Sequence, residues 1–154
     1  MDILINTEIL ISTLQNVISV IDKSYSKPIL SNFMIKTLEN EGGQGMVEFS
    51  ATDYELSIIE RIPAEITTSG SICINAKRVF DIAREFQAKE TRILSTEQLW
   101  VHISCGASEL RLPSVEVGLY PQPNVEELKQ NLKITTVDLA CLLYTSPSPR
   151  DQLQ

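Results

Sequence analysis

Apolar and polar residues follow one order twice between Met1 and Leu112. Each time, the pattern predicts a strand, an amphipathic helix and then three strands. The first unit has strands at Asp2–Asn6, Pro28–Leu38, Met46–Ala51 and Glu55–Ile62 and a helix at Glu8–Ile21. The second has strands at Ser71–Asn75, Thr91–Ser95, Leu99–Cys105 and Glu109–Leu112 and a helix at Ala76–Ala88. A supersecondary unit used twice predicts a pseudo-symmetric fold.

The first predicted helix has an apolar stripe with a 3.6-residue period. Thr7 is its expected N-cap, and Glu8 is well placed near the positive end of the helix. The apolar stripe comprises Leu10, Ile11, Leu14, Val17, Ile18 and Ile21. The opposite face is polar but uncharged and comprises Ser12, Thr13, Gln15, Asn16 and Ser19.

The second predicted helix begins after Asn75, its expected N-cap, and is locally basic. Its apolar positions are Val79, Ile82, Ala83 and Phe86. Between Asn75 and Lys89 the basic residues are Lys77, Arg78, Arg84 and Lys89 and the acidic ones are Asp81 and Glu85, a local charge of 4 − 2 = +2. This surface is either a solvated helix face, which is the commoner case, or a surface that faces phosphates.

The predicted strands alternate as half-buried antiparallel strands do. Trp100, His102 and Ser104 should face one side, and the residues between them the other. Short connections favour pairing between strands that are consecutive in sequence. With two helices on one face of antiparallel sheets, the fold class is α+β.

Composition limits the classes of protein that fit. The chain has 154 residues, 43% of them hydrophobic, and no apolar run long enough for a transmembrane helix. Its start lacks the features of a signal peptide, so a cytoplasmic location is expected. The formal charge of −7 opposes a simple nucleic-acid coat protein, although net charge does not describe local charge. Cys73, Cys105 and Cys141 are distant from one another, so we expect free thiols and no metal.

No catalytic motif or cofactor-binding motif stands out, so neither an enzyme nor a cofactor is expected. His102 is the only histidine and has no nucleophile and carboxylate at a suggestive spacing. Thr52-Asp53-Tyr54-Glu55 could form a metal site or an acid–base pair. A turn in which the Asp53 side chain caps its own backbone is the favoured interpretation.

Several separated motifs resemble one known family, in the same order and spacing. They are Ser26-Lys27-Pro28-Ile29-Leu30-Ser31-Asn32, Ser50-Ala51-Thr52-Asp53-Tyr54-Glu55, Ile74-Asn75-Ala76-Lys77-Arg78-Val79-Phe80-Asp81-Ile82 and Leu119-Tyr120-Pro121. Together they resemble the N-terminal domain of the bacterial sliding clamp, the beta subunit of DNA polymerase III. The resemblance extends from Met1 to about Ala140.

The resemblance implies a DNA-clamp fold and a non-catalytic function. In this family each domain contains two strand-helix-three-strand units, three domains form a subunit, and two subunits close head to tail into a ring. The ring encircles double-stranded DNA without reading its sequence and tethers the replicative polymerase. Polymerase and clamp loader bind through the other domains, at a pocket between domains two and three.

The resemblance also assigns site residues by position. The DNA-binding positions are Lys23, Ser24, Lys77, Arg78 and Arg84. Ser24 stands where the family has an arginine, which leaves two alternatives: Lys23 or Lys27 takes the role of that arginine, or the contact with DNA is weaker. The subunit-interface positions are Ile82, Phe86, Leu110 and Leu112, and apolar residues there fit a buried seam.

The expected division of the chain is domain one at residues 1–122, a linker and the start of domain two at 123–140, and a non-native tail at 141–154. Lys133–Thr136 and the residues after it repeat the strand-into-helix opening. Cys141–Asp151 resembles the translation of a transposase sequencing adapter. The alternative to a truncated clamp is a free-standing α+β module that binds a protein partner. A reading frame that continues for two more domains would distinguish the clamp from the module.

Overall fold

In each half of the fold, the three strands after a helix form an antiparallel meander, as the alternating pattern predicts. The computed structural model describes residues 1–21, 28–38 and 45–122. The helices are α1 (Thr7–Val20) and α2 (Ala76–Ala83), and two short 3₁₀ segments lie at Pro28–Ser31 and Val117–Leu119. The strands are β1 (Asp2–Asn6), β2 (Asn32–Leu38), β3 (Gly45–Thr52), β4 (Ser57–Thr68), β5 (Ser71–Asn75), β6 (Glu90–Ser95), β7 (Trp100–Cys105) and β8 (Ser108–Pro113). The predicted α+β class, with a duplicated strand-helix-three-strand unit, is confirmed.

The two units exchange their first strands. The strand order is β5-β2-β3-β4-β1-β6-β7-β8, and every pairing is antiparallel. β1 therefore lies beside β6 of the second unit, and β5 lies beside β2 of the first. The result is two four-stranded sheets, β5-β2-β3-β4 and β1-β6-β7-β8, each built from both units. Neither unit has a complete sheet without the other.

The two sheets meet at two equivalent places. At one, the end of β4 pairs with β1, and Leu4 lies opposite Glu65. At the other, an isolated bridge joins Cys73 of β5 to Val115, just after β8. Leu4 and Cys73 each lie two residues before the asparagine that ends their strand, so the two pairs occupy equivalent positions in the two units. The pseudo-twofold relation thus extends to the joins between the sheets.

One hydrophobic core lies between the helices and the sheets. Phe33 and Phe49 stack at its centre, with ring centroids 5.7 Å apart. Val101, Ile103 and Cys105 are buried whereas His102 is exposed, so the predicted alternation of β7 is confirmed. The core also includes Ile3, Ile5, Leu10, Leu14, Val17, Ile35, Ile74, Val79, Ala83, Ile93 and Leu112.

Both helices begin after an asparagine at an equivalent position. Asn6 Oδ1 accepts hydrogen bonds from the backbone N–H of Glu8 (3.0 Å) and Ile9 (3.2 Å). Asn75 Oδ1 accepts one from Arg78 N–H at 3.0 Å, as expected. The prediction of Thr7 as the first N-cap was wrong. Thr7 is the first helical residue, and its buried hydroxyl lies 2.9 Å from Thr91 Oγ1.

Some predicted boundaries were also wrong. α2 ends at Ala83 because the N–H groups of Glu85 and Phe86 bond the carbonyls three residues back, which tightens the chain into a turn. Pro28–Ser31 is a 3₁₀ turn, and β4 continues past Pro63 to Thr68. Pro63 is tolerated because the second side of β4 pairs only from Glu65 onward.

A smaller apolar cluster lies on the sheet face opposite the helices. Met34, Cys73 and Tyr120 form it, with Val115 and Val117 packed against them. The buried Tyr120 hydroxyl donates a hydrogen bond to Asn32 C=O at 3.1 Å and accepts one from Thr52 N–H at 3.2 Å. These bonds fasten the segment that follows β8 onto the back of the sheet.

Candidate nucleic-acid interface and subunit seam

Two basic side chains occupy the first turn of α2. Lys77 and Arg78 are exposed and directly follow the capping residue Asn75. No acidic residue lies in that turn. Because the N-terminal end of a helix is already electropositive, cations there oppose helix stability and favour an approaching anion. The helix itself gains no stability from the pair, whose charges are accessible to an anion.

Arg84 extends the basic surface beyond the end of α2. Its side chain is 57% exposed, and its Nε lies 3.7 Å from Oε1 of the 79% exposed Glu85. An ion pair as exposed as this contributes little to stability. The guanidinium therefore remains accessible to a phosphate, with Glu85 as a weak competitor.

The exposed surface of α1 is almost uncharged. Glu8 is the only charged residue of the helix, and Ser12, Gln15 and Ser19 are exposed beyond it. Such a surface offers hydrogen bonds without repelling a polyanion. The two helices also contact each other.

One residue of the predicted polar face of α1 is buried instead. Thr13 is 1% exposed, and its Oγ1 donates a hydrogen bond to Glu60 Oε1 at 3.3 Å. Asn16 Nδ2 donates to the other carboxylate oxygen at 3.0 Å. β4 packs under this side of the helix and supplies Glu60. The sequence carries no signal that joins a strand carboxylate to a helix so far away along the chain.

The second unit has apolar residues where the first has this polar cluster. Ile82 lies seven residues after its capping asparagine, as Thr13 does. The strand register makes Leu110 equivalent to Glu60, since Leu110 pairs with Ile103 as Glu60 pairs with Phe49. Ile82 is 38% exposed and Leu110 is half-buried. Apolar residues that are at least partly exposed therefore occupy the two positions at which the first unit has a hydrogen-bonded pair.

The other two predicted interface residues contact the domain's own core. Phe86 lies in the turn after α2 and is half-buried against the core, as Leu110 is. Leu112 is only 4% exposed and belongs to the core itself. Leu112 lies on β8, whose only described partner strand is β7, so this strand forms one end of the domain. That end combines an unpaired strand edge with a partly exposed apolar surface.

Two predicted DNA-binding positions, Lys23 and Ser24, lie outside the described residues. So do Cys141 and the predicted segments 123–140 and 141–154. These assignments stay predictions. Lys77, Arg78 and Arg84 are all exposed, the first two in the first turn of α2 and the third directly after its last residue.

The Thr52–Glu55 segment and the cysteines, which could have formed other kinds of site, have structural explanations. Asp53 Oδ1 accepts hydrogen bonds from the N–H groups of Glu55 (2.9 Å) and Leu56 (2.6 Å), so the turn interpretation is confirmed. Cys73 is buried, and burial raises the pKa of its thiol to about 12. In the described parts of the chain, no cluster of three or more His, Cys, Asp or Glu side chains could hold a metal. Nor does any helix there have the length and apolarity to cross a bilayer.

These features define a class of protein: an α+β domain of two interleaved units, with basic side chains on its second helix and a strand edge that has no partner among the described residues. The particular family follows from sequence. The chain belongs to the DNA polymerase III beta subunit family, because residues 1–126 match the model of the N-terminal domain of that subunit.

Individual relatives agree with this assignment. The chain is 28% identical over 145 residues to the beta sliding clamp of Caulobacter vibrioides, a match that covers 93% of this chain and 38% of that protein. It is 29% identical over 129 residues to the beta sliding clamp of Staphylococcus epidermidis, covering 79% and 33%. The crystal structure of the Bacillus subtilis DNA polymerase sliding clamp matches with a TM-score of 0.73 and 25% identity, covering 82% and 34%. The chain thus spans little more than a third of the length of these relatives.

Proposed function

We propose that this chain is the N-terminal part of a sliding clamp that, as a complete ring, encircles double-stranded DNA and holds the replicative polymerase on it. The observation that carries the proposal is the family match over residues 1–126 on a fold with the same duplicated design. The protein itself makes and breaks no bond and needs no cofactor. It works in the cytoplasm, where bacterial replication takes place.

The helix layer faces the DNA in this proposal. Lys77, Arg78 and Arg84 contact phosphates, and the uncharged surface of α1 lets the polyanion pass without repulsion. Contacts to phosphates hold a protein on DNA without fixing it to a sequence, which suits sliding. Lys23 and Ser24 join this surface if the family's positions carry over. The overall charge of −7 is compatible, because net charge does not describe local charge and Lys77, Arg78 and Arg84 supply positive charge on the surface proposed to face the DNA.

The β8 end of the domain is the proposed contact with a second subunit of the ring. Ile82 and Leu110 supply the apolar surface, and the free edge of β8 supplies backbone groups. Phe86 and Leu112 support that surface from the core side. The first unit has Thr13 and Glu60 at the equivalent positions, so the apolar character is specific to this end.

The division of the chain belongs to the same proposal. Residues 1–122 form domain one, residues 123–140 lead into domain two, and residues 141–154 are not native. The pocket that binds polymerase and clamp loader lies between domains two and three. The native gene tests this directly, because its frame should depart from this sequence near Ala140 and continue for two more domains.

The DNA-facing surface is tested in a three-domain version of the protein. Lys77→Glu combined with Arg84→Glu should lower processive synthesis at moderate salt, because two attractive charges become repulsive. For every basic residue that no longer binds a phosphate, the salt dependence of DNA binding should fall by about one unit of slope. The matched control is Lys36→Glu, since Lys36 is exposed on the sheet face opposite the helices.

Topology supplies a second readout. A closed ring should stay on circular DNA and slide off the ends of linear DNA, whereas a protein that binds only by charge should not distinguish the two. Processivity that is unchanged in the Lys77/Arg84 double variant, or lowered equally by Lys36→Glu, would refute the proposed DNA-facing surface. Equal retention on circular and linear DNA would refute the ring.

A further inference from the structure

The outer edge of β8 exposes the backbone groups of Glu109 and Arg111. Ser114 N–H donates to Leu99 C=O at 2.7 Å, which marks a hydrogen-bonded pair in the β7–β8 ladder. In antiparallel ladders such pairs alternate with non-bonded ones, so Leu112 and Leu110 are bonded to β7. The N–H and C=O groups of Glu109 and Arg111 must therefore point away from β7, towards the edge of β8 that has no partner strand among the described residues.

The turn between β7 and β8 indicates the same alternation of hydrogen-bonded and non-bonded pairs. Gly106 has φ +59 and Ala107 is not among the residues with positive φ, as expected for the two central residues of a type II′ hairpin. In a two-residue hairpin the flanking residues, here Cys105 and Ser108, form a hydrogen-bonded pair. Counting on from Ser108 again directs the backbone of Glu109 and Arg111 outward.

We propose that two copies of this 154-residue chain pair through their β8 edges, antiparallel and around a twofold axis at Leu110. In this register Glu109 of each copy lies opposite Arg111 of the other, and each such pair exchanges two backbone hydrogen bonds. Leu110 lies opposite its own counterpart in the central, non-bonded pair, where side chains approach most closely. The outward direction of the Glu109 and Arg111 backbone groups is compatible with this register, and the side chains favour it.

The charges are complementary on the outer face of the sheet. Glu109 and Arg111 both point to that face, because Leu110 between them packs against the core. The Arg111 guanidinium lies over the Trp100 ring, 4.2 Å from its centroid, which holds it near the edge. Opposite charges directly across an antiparallel pair are favourable, and this arrangement provides that pair twice.

Apolar contact adds to the pairing on the helix face. The two Leu110 side chains meet at the axis, and Ile82, 38% exposed on α2, lies on the same side. β8 contains no lysine and its proline stands at the last position, so the charges on its edge are those of Glu109 and Arg111, which the proposed register pairs with each other. Pro113 has no N–H, so pairing ends there and the interface stays small.

The equivalent edge of the first unit shows why β8 is selected. β4 leaves the corresponding edge free between Ser57 and Pro63, with Ile59, Glu60 and Arg61 at the positions of Glu109, Leu110 and Arg111. The same register on β4 would bring two Glu60 carboxylates together at the axis and offer Arg61 no acidic partner. Only the second unit has a self-complementary edge.

This inference rests on the β8 edge of the chain by itself and does not require the ring proposed above. The expected complex is a weak dimer, because interfaces below about 1,000 Å² are typically transient. Sedimentation velocity of the 154-residue chain over a wide concentration range should show reversible monomer–dimer exchange. Thermal melting of each variant confirms that it is folded.

Charge reversal tests the register. Glu109→Arg alone and Arg111→Glu alone each turn both cross-strand pairs repulsive, so each should weaken dimerisation roughly tenfold or more. The double variant Glu109→Arg/Arg111→Glu restores both pairs in reversed polarity and should dimerise again. An equimolar mixture of the two single variants should form a heterodimer. Glu65→Arg, the same reversal at an exposed residue of β4, should leave dimerisation unchanged.

Three results would overturn the inference. They are a chain that stays monomeric at every concentration, a dimer as strong in both single variants as in the wild type, and folded single variants that do not combine when mixed. None of these bears on ring closure, which is measured with the three-domain protein on DNA. Failure of either proposal therefore leaves the other to be decided by its own experiment.

Discussion

The Arg92 guanidinium donates two hydrogen bonds to the Asp2 carboxylate, from Nε to Oδ1 at 2.8 Å and from Nη2 to Oδ2 at 2.6 Å. Asp2 belongs to β1 and Arg92 to β6, so the pair joins the first strand of one unit to the neighbouring strand of the other unit. The Asp2 side chain is 12% exposed, whereas that of Arg92 is 54% exposed. The hydrogen bond from Arg92 holds the pKa of Asp2 below its usual value near 3.8.

The Asp2–Arg92 pair should make stability depend on pH in acid. Because the pKa of Asp2 is lower in the folded state, its stabilisation is complete above the unfolded pKa and is lost as the pH falls through the folded value. Asp2→Asn should therefore reduce the free energy of unfolding at pH 7, and the difference from wild type should shrink towards about pH 3. Urea titrations across this range measure it.

The control for this titration is Glu97→Gln. Glu97 is an exposed carboxylate in the turn after β6. Among the described residues it makes no ion pair. Its variant should follow the wild-type curve at each pH. A constant difference between Asp2→Asn and wild type from pH 7 into acid would contradict the expected linkage.

The Tyr120 hydroxyl should contribute to stability through its two backbone partners. Tyr120→Phe removes the acceptor for Thr52 N–H and the donor for Asn32 C=O, both in a buried site. Leaving such groups without partners should lower the free energy of unfolding by about 1–3 kcal/mol, measured by urea denaturation. Burial raises the pKa of Tyr120 to about 12, so this loss should not vary with pH below about 10.

A neighbour provides the comparison for Tyr120→Phe. Leu119 lies in the same segment and is 65% exposed. Leu119→Ala should change the free energy of unfolding by less than about 0.5 kcal/mol, as surface substitutions usually do. Equal losses in the two variants would mean that the segment is held by general packing and not by the hydroxyl.

The sequence predicted the elements well because their patterns are local. Alternation in β7 and the helical stripe of α1 both report which face is buried, and neither depends on distant residues. The same approach identified Lys77 and Arg78 as surface residues, because charged side chains on a helix seldom enter a core. Family positions then supplied the proposed roles of these residues.

The sequence did not predict what depends on distant contacts. Pairing of β1 with β6 joins residues far apart in the chain, and alternation does not say which strands become neighbours. Thr13 is buried where its hydroxyl bonds the Glu60 carboxylate on β4. The Thr7 hydroxyl lies beside that of Thr91, so Asn6 caps the helix in place of Thr7. The errors at Thr7 and Thr13 both arose where a tertiary partner changed the environment of a polar side chain.

The Thr13–Glu60 contact should behave as a coupled pair. Glu60→Leu alone leaves the buried Thr13 hydroxyl without its acceptor, which should cost about 1–3 kcal/mol of unfolding free energy. Thr13→Ile added to Glu60→Leu copies the Ile82 and Leu110 combination of the second unit and should recover part of the loss. Urea denaturation of both single variants and the double variant should give a coupling energy of about 0.5–3 kcal/mol.

A residue elsewhere on α1 provides a check on that cycle. Ile9 is 37% exposed, close to the exposure of Ile82, and lies outside the Thr13–Glu60 cluster. A second double-mutant cycle combines Ile9→Thr with Glu60→Leu. The changes in unfolding free energy of these two single variants should add up to that of their double variant. Additivity in the Thr13 cycle as well would show that the two side chains do not depend on each other.

Gly45 and Gly118 should respond in opposite ways to alanine. A Cβ on Gly45 would lie 2.6 Å from Ile66 Cδ1 and 2.8 Å from the Ala64 carbonyl oxygen, and the backbone atom cannot move without disturbing the β3–β4 ladder. Gly45→Ala should therefore lower the free energy of unfolding by about 1–3 kcal/mol. A Cβ on Gly118 meets nothing within 4 Å, so Gly118→Ala should be neutral or stabilise by up to about 1 kcal/mol, because it restricts the unfolded chain. Thermal and urea unfolding of the two variants measure both effects, and a Gly45→Ala protein as stable as wild type would show that β4 can shift away from β3 at this point.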